Sequence, residues 1–165
     1  MLCPCGSTLL FNTCCKLFIT QKQVPCTAEQ LMRSRFSAYA TKEGQYIFDT
    51  YSATAQLKLS VPEIQVWADE CLWLALVVHN STESMVEFSA YYLVDNTLYE
   101  LREKSNFTLE QERWCYIDGD IIVHKELISN NGTSTIKRSD ICPCNRFPTA
   151  WSIKKGKKFK HCCAR

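Results

Sequence analysis

Four cysteines within the first fifteen residues, Cys3, Cys5, Cys14 and Cys15, constrain this chain more than any other feature. Their spacing is C-x-C-x8-C-C, with Pro4 between the first pair and Gly6-Ser7 directly after it. A second set, Cys142-Pro143-Cys144 and Cys162-Cys163, repeats both ends of the pattern near the other terminus. Segments this short bury no core of their own, so a cross-link has to hold each one. Four thiolates in a tetrahedron suit zinc, at metal–sulfur distances of about 2.3 Å. Proline between two close cysteines stiffens the turn that presents both sulfurs, and Gly6 permits a tight backbone return. Cys14 and Cys15 are adjacent, an unusual spacing, but the start of a short helix can aim both inward. Ferredoxin-type clusters use C-x2-C or C-x4-C spacings, which these are not. Reactive or incidental thiols are the alternative.

Disulfides are the competing cross-link. The opening Met1-Leu2-Cys3-Pro4 has no basic n-region and no apolar h-region, so no signal peptide is expected. No apolar run approaches the roughly 18 residues of a membrane span. A cytoplasmic, reducing location follows, in which paired cysteines hold metal; the odd total of eleven cysteines leans the same way. The Asn-x-Ser/Thr triplets at Asn80, Asn106 and Asn131 are then chance matches. The net charge of +2 hides an asymmetry: six of nineteen Lys/Arg fall in residues 148–165, leaving thirteen against seventeen Asp/Glu elsewhere. The body therefore offers no broad nucleic-acid surface, and no specific DNA recognition is expected.

Between the cysteine knuckles, 46% hydrophobic content supports one ordinary domain. Thr27 and Gln30 form a capping-box pattern ahead of a helix over 28–42. At 100° per residue Ala28, Leu31, Met32, Phe36 and Tyr39 share its buried arc, with Arg35 in the middle and Arg33 on the polar side. A short helix over 45–51 follows, and Pro62 suits the first turn of another through Ile64, Val66 and Trp67. Strands are expected over 72–79, 84–94 and 97–107, with Val86, Phe88, Ala90 and Tyr92 on one face of the second. Asp118-Gly119 reads as a hairpin turn between strands 112–117 and 120–125. Polar residues 126–141, containing Asn130-Asn131-Gly132, read as a linker. Helices first and antiparallel strands afterwards give a segregated α+β domain, a curved sheet wrapped on the long helix. The resulting organisation is a knuckle (1–16), a domain (27–125) with a core of its own that should survive metal loss, a linker (126–141) and a second knuckle (142–165).

C-P-C-G-S…C-C and G-K-K-F-K-H-C-C resemble the SEC-C motif, the zinc-binding tail of the bacterial preprotein translocase motor. One such motif at each end of an α+β domain resembles the YchJ family of small bacterial proteins. The resemblance extends through Leu31-Met32-Arg33-Ser34-Arg35-Phe36-Ser37-Ala38, Glu87-Phe88, Arg102-Glu103-Lys104-Ser105 and Trp114–Gly119. It implies a nuclear transport factor 2-like (cystatin-like) cone in the middle and two zinc ions, without implying an activity. There are departures. Seventeen residues separate Cys144 from Cys162 where the motif has eight, an insertion around 145–153. The usual Gly-Ser after the second C-P-C is gone, and Ile141 replaces a usual proline. The family's S-R-F reads Ser105-Asn106-Phe107 here, and its W-H-P reads Tyr51-Ser52-Ala53, so no pocket role is carried over for that arginine or histidine.

A buried Arg35 needs a carboxylate or several carbonyls, and Glu87 and Glu100 are the candidate partners on the strands. Its uses are an internal ion pair or the binding of a small anion. His79 and His124 sit at strand ends with no triad spacing, and His161 is a substitute ligand for a neighbouring thiolate. Cys26, Cys71 and Cys115 read as half-buried small hydrophobes. Tyr91, Tyr92, Tyr99, Trp114 and Tyr116 suit core packing or a cavity wall. Lys154, Lys155, Lys157, Lys158 and Lys160, with Phe147 and Trp151 nearby, form either a solvated basic face or a docking site. Two functions follow: a non-enzymatic adaptor docking a protein, ribosome or RNA partner through its knuckles, or a cone pocket that binds or turns over a small molecule. A solvent-open cavity lined by Arg35 and a carboxylate would favour the second.

Overall fold

Thr27 starts the long helix as its neighbours require. Its hydroxyl accepts the Gln30 backbone N–H at 3.1 Å, and the Gln30 side chain accepts the Cys26 N–H at 2.8 Å. The computed structural model, which describes residues 1–129, 132–152 and 155–164, runs through α1 (Cys15–Ile19) into this helix, α2 (Ala28–Thr41). Ala28, Leu31, Met32, Arg35 and Phe36 are buried, the arc that the spacing defines, with Tyr39 half-buried. Ser34, Ser37 and Ala38 are buried as well, because the helix is covered on its back. There the N-terminal knuckle sets Cys3 Sγ 3.5 Å from Ser37 Oγ, and Tyr46 of α3 (Gly44–Asp49) sets its hydroxyl 2.7 Å from Ser34 Oγ. Two further helices, α4 (Ala53–Gln56) and α5 (Val61–Glu70), complete this layer; Ser60 caps α5 and Pro62 lies in its first turn.

The strands β1 (Leu72–Ser81), β2 (Met85–Val94), β3 (Thr97–Glu110) and β4 (Arg113–Glu126) form one curved antiparallel sheet in sequential order. Its inner face, with Trp73, Leu76, Val86, Ala90, Tyr92, Leu101 and Phe107, packs against α2. A bulge between Trp73 and Ala75 shifts the parity of β1, so that Leu74 and Ala75 face outward with Leu93 and Leu98. This is why β1 reads as nearly continuous apolar sequence: it is buried on both faces. The outer cover consists of Ile136, Phe147 and Phe159 with the C-terminal cysteines.

Two expectations change. Asp118-Gly119 is not a hairpin turn; β4 runs straight through it, with Gly119 opposite Ser105. Chain reversal occurs at Asp95-Asn96 and at Gln111-Glu112, where both residues of each pair have φ between 48° and 63°, the left-handed values of a two-residue hairpin turn. Gln111-Glu112 carries no glycine or asparagine, so it gave no turn signal. The 126–141 stretch, in its described part, lies along the domain rather than free of it. Leu98 N–H donates to Ser134 O at 3.1 Å, Ile136 N–H donates to Asn96 O at 2.7 Å, and the Ile136 side chain is buried. Asn130 and Asn131, on which the turn signal and one triplet rested, lie outside the described residues. No helix among the described residues is long and apolar enough to cross a membrane.

Candidate metal centres and cone pocket

Each four-cysteine set comes together. In both, the four Sγ atoms lie within 4.8 Å of one another. Around a tetrahedral ion with metal–sulfur bonds of about 2.3 Å, sulfurs stand about 3.8 Å apart. The pairs Cys5–Cys14 and Cys14–Cys15 are 3.7 and 3.9 Å apart, and Cys144–Cys162 and Cys162–Cys163 are 3.6 and 3.7 Å apart. A short 3-10 turn (Phe11–Thr13) and the first residue of α1 present Cys14 and Cys15; Phe159–His161 does the same for Cys162 and Cys163. None of the eleven cysteines is joined in a disulfide. Crowding splits their acidities: hydrogen bonds from Cys15 and Cys5 pull the Cys3 thiol far below its usual range, while hydrogen bonding to Cys3 and Cys5, and then burial, push Cys15 far above it. In the second set Cys144 and Cys163 draw Cys142 down to about 2, and hydrogen bonding to Cys142 raises Cys144 to about 12. Four sulfurs this close ionise together only around a cation, so the donor set fits a metal ion.

In its described part, residues 145–152, the insertion of the second knuckle packs on the domain. Phe147 stacks on Tyr91 with ring centroids 4.1 Å apart, and Trp151 Nε1 donates to the Trp73 carbonyl at 3.1 Å. Both aromatics are therefore spent on holding the knuckle to the outer face, which corrects their expected place beside a partner. The insertion also meets the first knuckle: a Cβ on Gly6, at φ +78°, would stand 3.0 Å from Thr149 Cβ.

Inside the cone, between α2 and the inner face, lies a cavity of about 120 Å³, partly open to solvent. Arg35 lines it, 6% exposed, but neither expected carboxylate reaches it. Glu87 binds Arg102 Nε at 2.8 Å, and Glu100 lies 3.7 Å from Lys125 and accepts from Ser89 at 3.1 Å, all on the outer face. Pleat parity explains this: with Phe88 and Ala90 inward, Glu87 points outward, and Glu100 faces outward beside inward Leu101. The carboxylate that does line the cavity is Glu103, whose Oε1 accepts from Ser105 Oγ at 2.6 Å and from the Tyr116 hydroxyl at 2.8 Å. Burial first, and then Glu103, push the Tyr116 phenol well above its usual range, so it remains a donor. Arg35 Nη1 donates to Ile47 O at 2.8 Å and to Thr50 Oγ1 at 2.6 Å. Its guanidinium carbon sits 4.3 Å from the Tyr51 ring centroid and 4.7 Å from that of Tyr116. Gly119 makes room for the carboxylate, since a Cβ there would fall 2.1 Å from Glu103 Oε1. Parity along β3 was the signal that could have found Glu103.

A family model described as "YchJ, middle NTF2-like domain" matches residues 27–119. The chain belongs to the YchJ family. UPF0225 proteins from Haemophilus influenzae strain Rd and Serratia proteamaculans are each 33% identical to it; the alignments cover 98% and 99% of this chain and 90% and 98% of theirs. A SEC-C motif containing protein from Rhodopseudomonas palustris superposes with a TM-score of 0.68 at 28% identity, over 74% of this chain and all of that one. Another from Psychrobacter arcticus superposes with a TM-score of 0.63 at 23% identity over 99% of this chain and 96% of that one, a likeness of fold.

Where this chain departs from the YchJ pattern, the cavity has its own parts. Tyr51, in the place of the family tryptophan, supplies a ring under Arg35. Asn106, in the arginine position, binds Asp118 at 2.8 Å on the surface. His79 and His124 are satisfied, by Ser89 at 2.8 Å and Tyr92 at 2.9 Å, and His161 is exposed outside the sulfur set. Cys71 and Cys115 are buried, but Cys26 is exposed. Of the aromatic set, Tyr116 reaches the cavity while Tyr91 packs on Phe147. Lys155, Lys157, Lys158 and Lys160 are exposed; Lys154 and Arg165 lie outside the described residues. An antiparallel bridge between Ile141 and Lys158 brings exposed Lys137 and Arg138 beside them, two cations that sequence order assigned to the linker.

Proposed function

We propose that this protein is a small-molecule-binding cone held between two structural zinc sites. The observation that carries it is the presence of both Arg35 and Glu103 in the wall of one solvent-open, aromatic-walled cavity. A protein that used its cone only as a scaffold would gain more by filling that space with apolar side chains, because buried charge is costly. All-sulfur donor sets favour zinc, and four protein ligands close each site, so the metal's part is to hold the fold rather than to activate water. Such thiolates persist in a reducing cytosol, where we place the protein. Trp67 and Trp73 line the cavity, so occupancy has an optical readout. Phenol added at millimolar concentration should quench or shift tryptophan emission saturably and raise the melting temperature. Linear, unsaturable emission changes with no thermal shift would sink the pocket reading.

A second reading has support of its own: the knuckle as a docking end for a polyanionic partner such as ribosomal RNA. The cations Lys137, Arg138, Lys155, Lys157, Lys158 and Lys160 sit together on a metal-pinned surface, and no ion pair is seen for them among the described residues. With Phe147 buried against Tyr91 and Trp151 half-buried, binding would run mainly through phosphates and fall steeply between about 50 and 200 mM salt. Replacing Lys157, Lys158 and Lys160 with glutamate should abolish retention of a short RNA at the lower salt; equal retention would remove this reading.

A further inference from the structure

Resting on the pocket reading above, we propose that the ligand is a short, uncharged carboxamide. Its carbonyl oxygen accepts from Arg35, its amide N–H donates to Glu103, and its alkyl tail lies against the apolar walls. Charge sets the first limit. Arg35 and Glu103 bring one positive and one negative charge to the wall of one small cavity, so the two sum to zero. Each already has part of its stabilisation. Arg35 has a carbonyl, a hydroxyl and two tyrosine rings, and Glu103 has the hydroxyls of Ser105 and Tyr116. An anion drawn to Arg35 is repelled by Glu103, and a cation meets the reverse. Either one also gives up far more hydration on entry than a neutral molecule does.

The open atoms set the second limit. Arg35 spends Nη1 on Ile47 O and Thr50 Oγ1, and its Nε and Nη2 have no partner among the described residues. Glu103 engages the protein through Oε1 alone, and Oε2 has no partner among them either. The buried side-chain atoms left without a partner there are Trp73 Nε1 and Thr149 Oγ1, so the open atoms of Arg35 and Glu103 stay within reach of a water-sized molecule. A guanidinium only donates and an ionised carboxylate only accepts. The ligand must therefore offer an acceptor to one and a donor to the other, and a primary amide carries both on a single carbon.

Spacing and volume set the third. Arg35 covers the face of the Tyr116 ring at 4.7 Å, and Glu103 holds the hydroxyl of that same ring at 2.8 Å. Yet no Arg35 nitrogen comes within 4.0 Å of a Glu103 oxygen. The gap is too short for a ring set end to end, and it suits one planar polar group with a hydrogen bond of about 2.9 Å on each side. The cavity holds about 120 Å³, against roughly 150 Å³ for an apolar cavity that encloses benzene. In proportion, a ligand enclosed whole has about five heavy atoms rather than six. Met32, Phe36, Phe88 and Phe107 in the wall leave the rest of it an alkyl tail, which a small zwitterion such as glycine lacks.

NMR titration of the full, metal-loaded chain tests this, read at the indole N–H signals of Trp67 and Trp73. The probes are propanamide, butanone, propanoate and butylammonium, all of about one size. Propanamide should bind at least about tenfold more tightly than butanone, which keeps the acceptor and loses the donor, and than either ion. Glu103→Gln can keep a carbonyl on Ser105 and Tyr116 while turning an NH2 towards the ligand. Propanamide should then fall to the affinity of butanone. Arg35→Gln should weaken both compounds, and the Glu103 variant decides the matter if this one does not fold. Tightest binding of propanoate, butylammonium or glycine overturns the ligand class and leaves the pocket intact, as does equal affinity for propanamide and butanone. An undiminished preference for propanamide in Glu103→Gln overturns it too. Silence from all four probes while phenol still binds overturns the class alone, and silence from phenol as well overturns the pocket reading.

Discussion

A chain stripped of metal should lose about 10 °C or more of its melting temperature, not merely the order of its two ends. The knuckles at first sight bracket a domain with a core of its own, and the core between α2 and the inner face fits that description. The outer face does not. Leu74, Ala75, Leu93 and Leu98 are buried there only because Ile136, Phe147 and Phe159 lie over them, and those residues belong to the segment that the C-terminal cysteines fold. A large apolar side chain returned to water costs about 1.5–3 kcal/mol. Uncovering this layer therefore costs more than about 5 kcal/mol, the low end of a whole domain's stability. At 2–4 °C per kcal/mol for a chain of this size, the shift is about 10 °C at least. The first knuckle adds to this, since Arg33 of α2 donates to Cys5 O at 2.8 Å and Gly6 abuts the insertion at Thr149. Thermal unfolding before and after chelation, with zinc release counted and two ions per chain expected, is the measurement. Cys142→Ser with Cys144→Ser should reproduce the larger part of the loss, and Cys26→Ser, at an exposed isolated thiol, should do nothing. An unchanged melting temperature, with exchange protection lost only in the terminal segments, would show that the cone stands alone.

Local chemistry was legible in this sequence wherever it acts within a few residues. Thr27 and Gln30 announced α2, Pro62 announced α5, and the alternation Val86, Phe88, Ala90, Tyr92 gave the inner face of β2. The C-x-C and C-C spacings indicated both sulfur clusters because ligand geometry is itself local. What failed was set by partners distant in sequence. Glu87 and Glu100 read as partners for Arg35 only while strand parity was ignored; carried from Phe88 across the hairpin, the same parity turns both outward and Glu103 inward. Phe147 and Trp151 looked like exposed anchors because the insertion gave no hint of the outer sheet face that receives them. Lys137 and Arg138 joined the basic surface through a backbone bridge that no sequence pattern announces.

Asp118-Gly119 shows the same limit most sharply, and it yields the strongest test of the pocket. Glycine here is not required by backbone conformation, since Gly119 is absent from the positive-φ positions. It is required by space: a Cβ would lie 2.1 Å from Glu103 Oε1 and 2.6 Å from its Cδ. Gly119→Ala should therefore drive the Glu103 side chain off Ser105 and Tyr116. Ser105 is 1% exposed, so its hydroxyl and the Tyr116 phenol lose their acceptor where water replaces it poorly. At about 1–3 kcal/mol for each of the two stranded groups, the variant should be destabilised by about 2–6 kcal/mol in urea unfolding. The decisive arm is the sign of the same substitution in a Glu103→Ala background. With the carboxylate gone, alanine should outperform glycine in a strand by about 0.5–1 kcal/mol, so the effect reverses. A cycle that closes with an interaction of several kcal/mol shows Glu103 folded over Gly119. Equal effects of Gly119→Ala in the two backgrounds would mean that Glu103 does not occupy that space, and the cavity would lose the carboxylate on which its ligand chemistry depends.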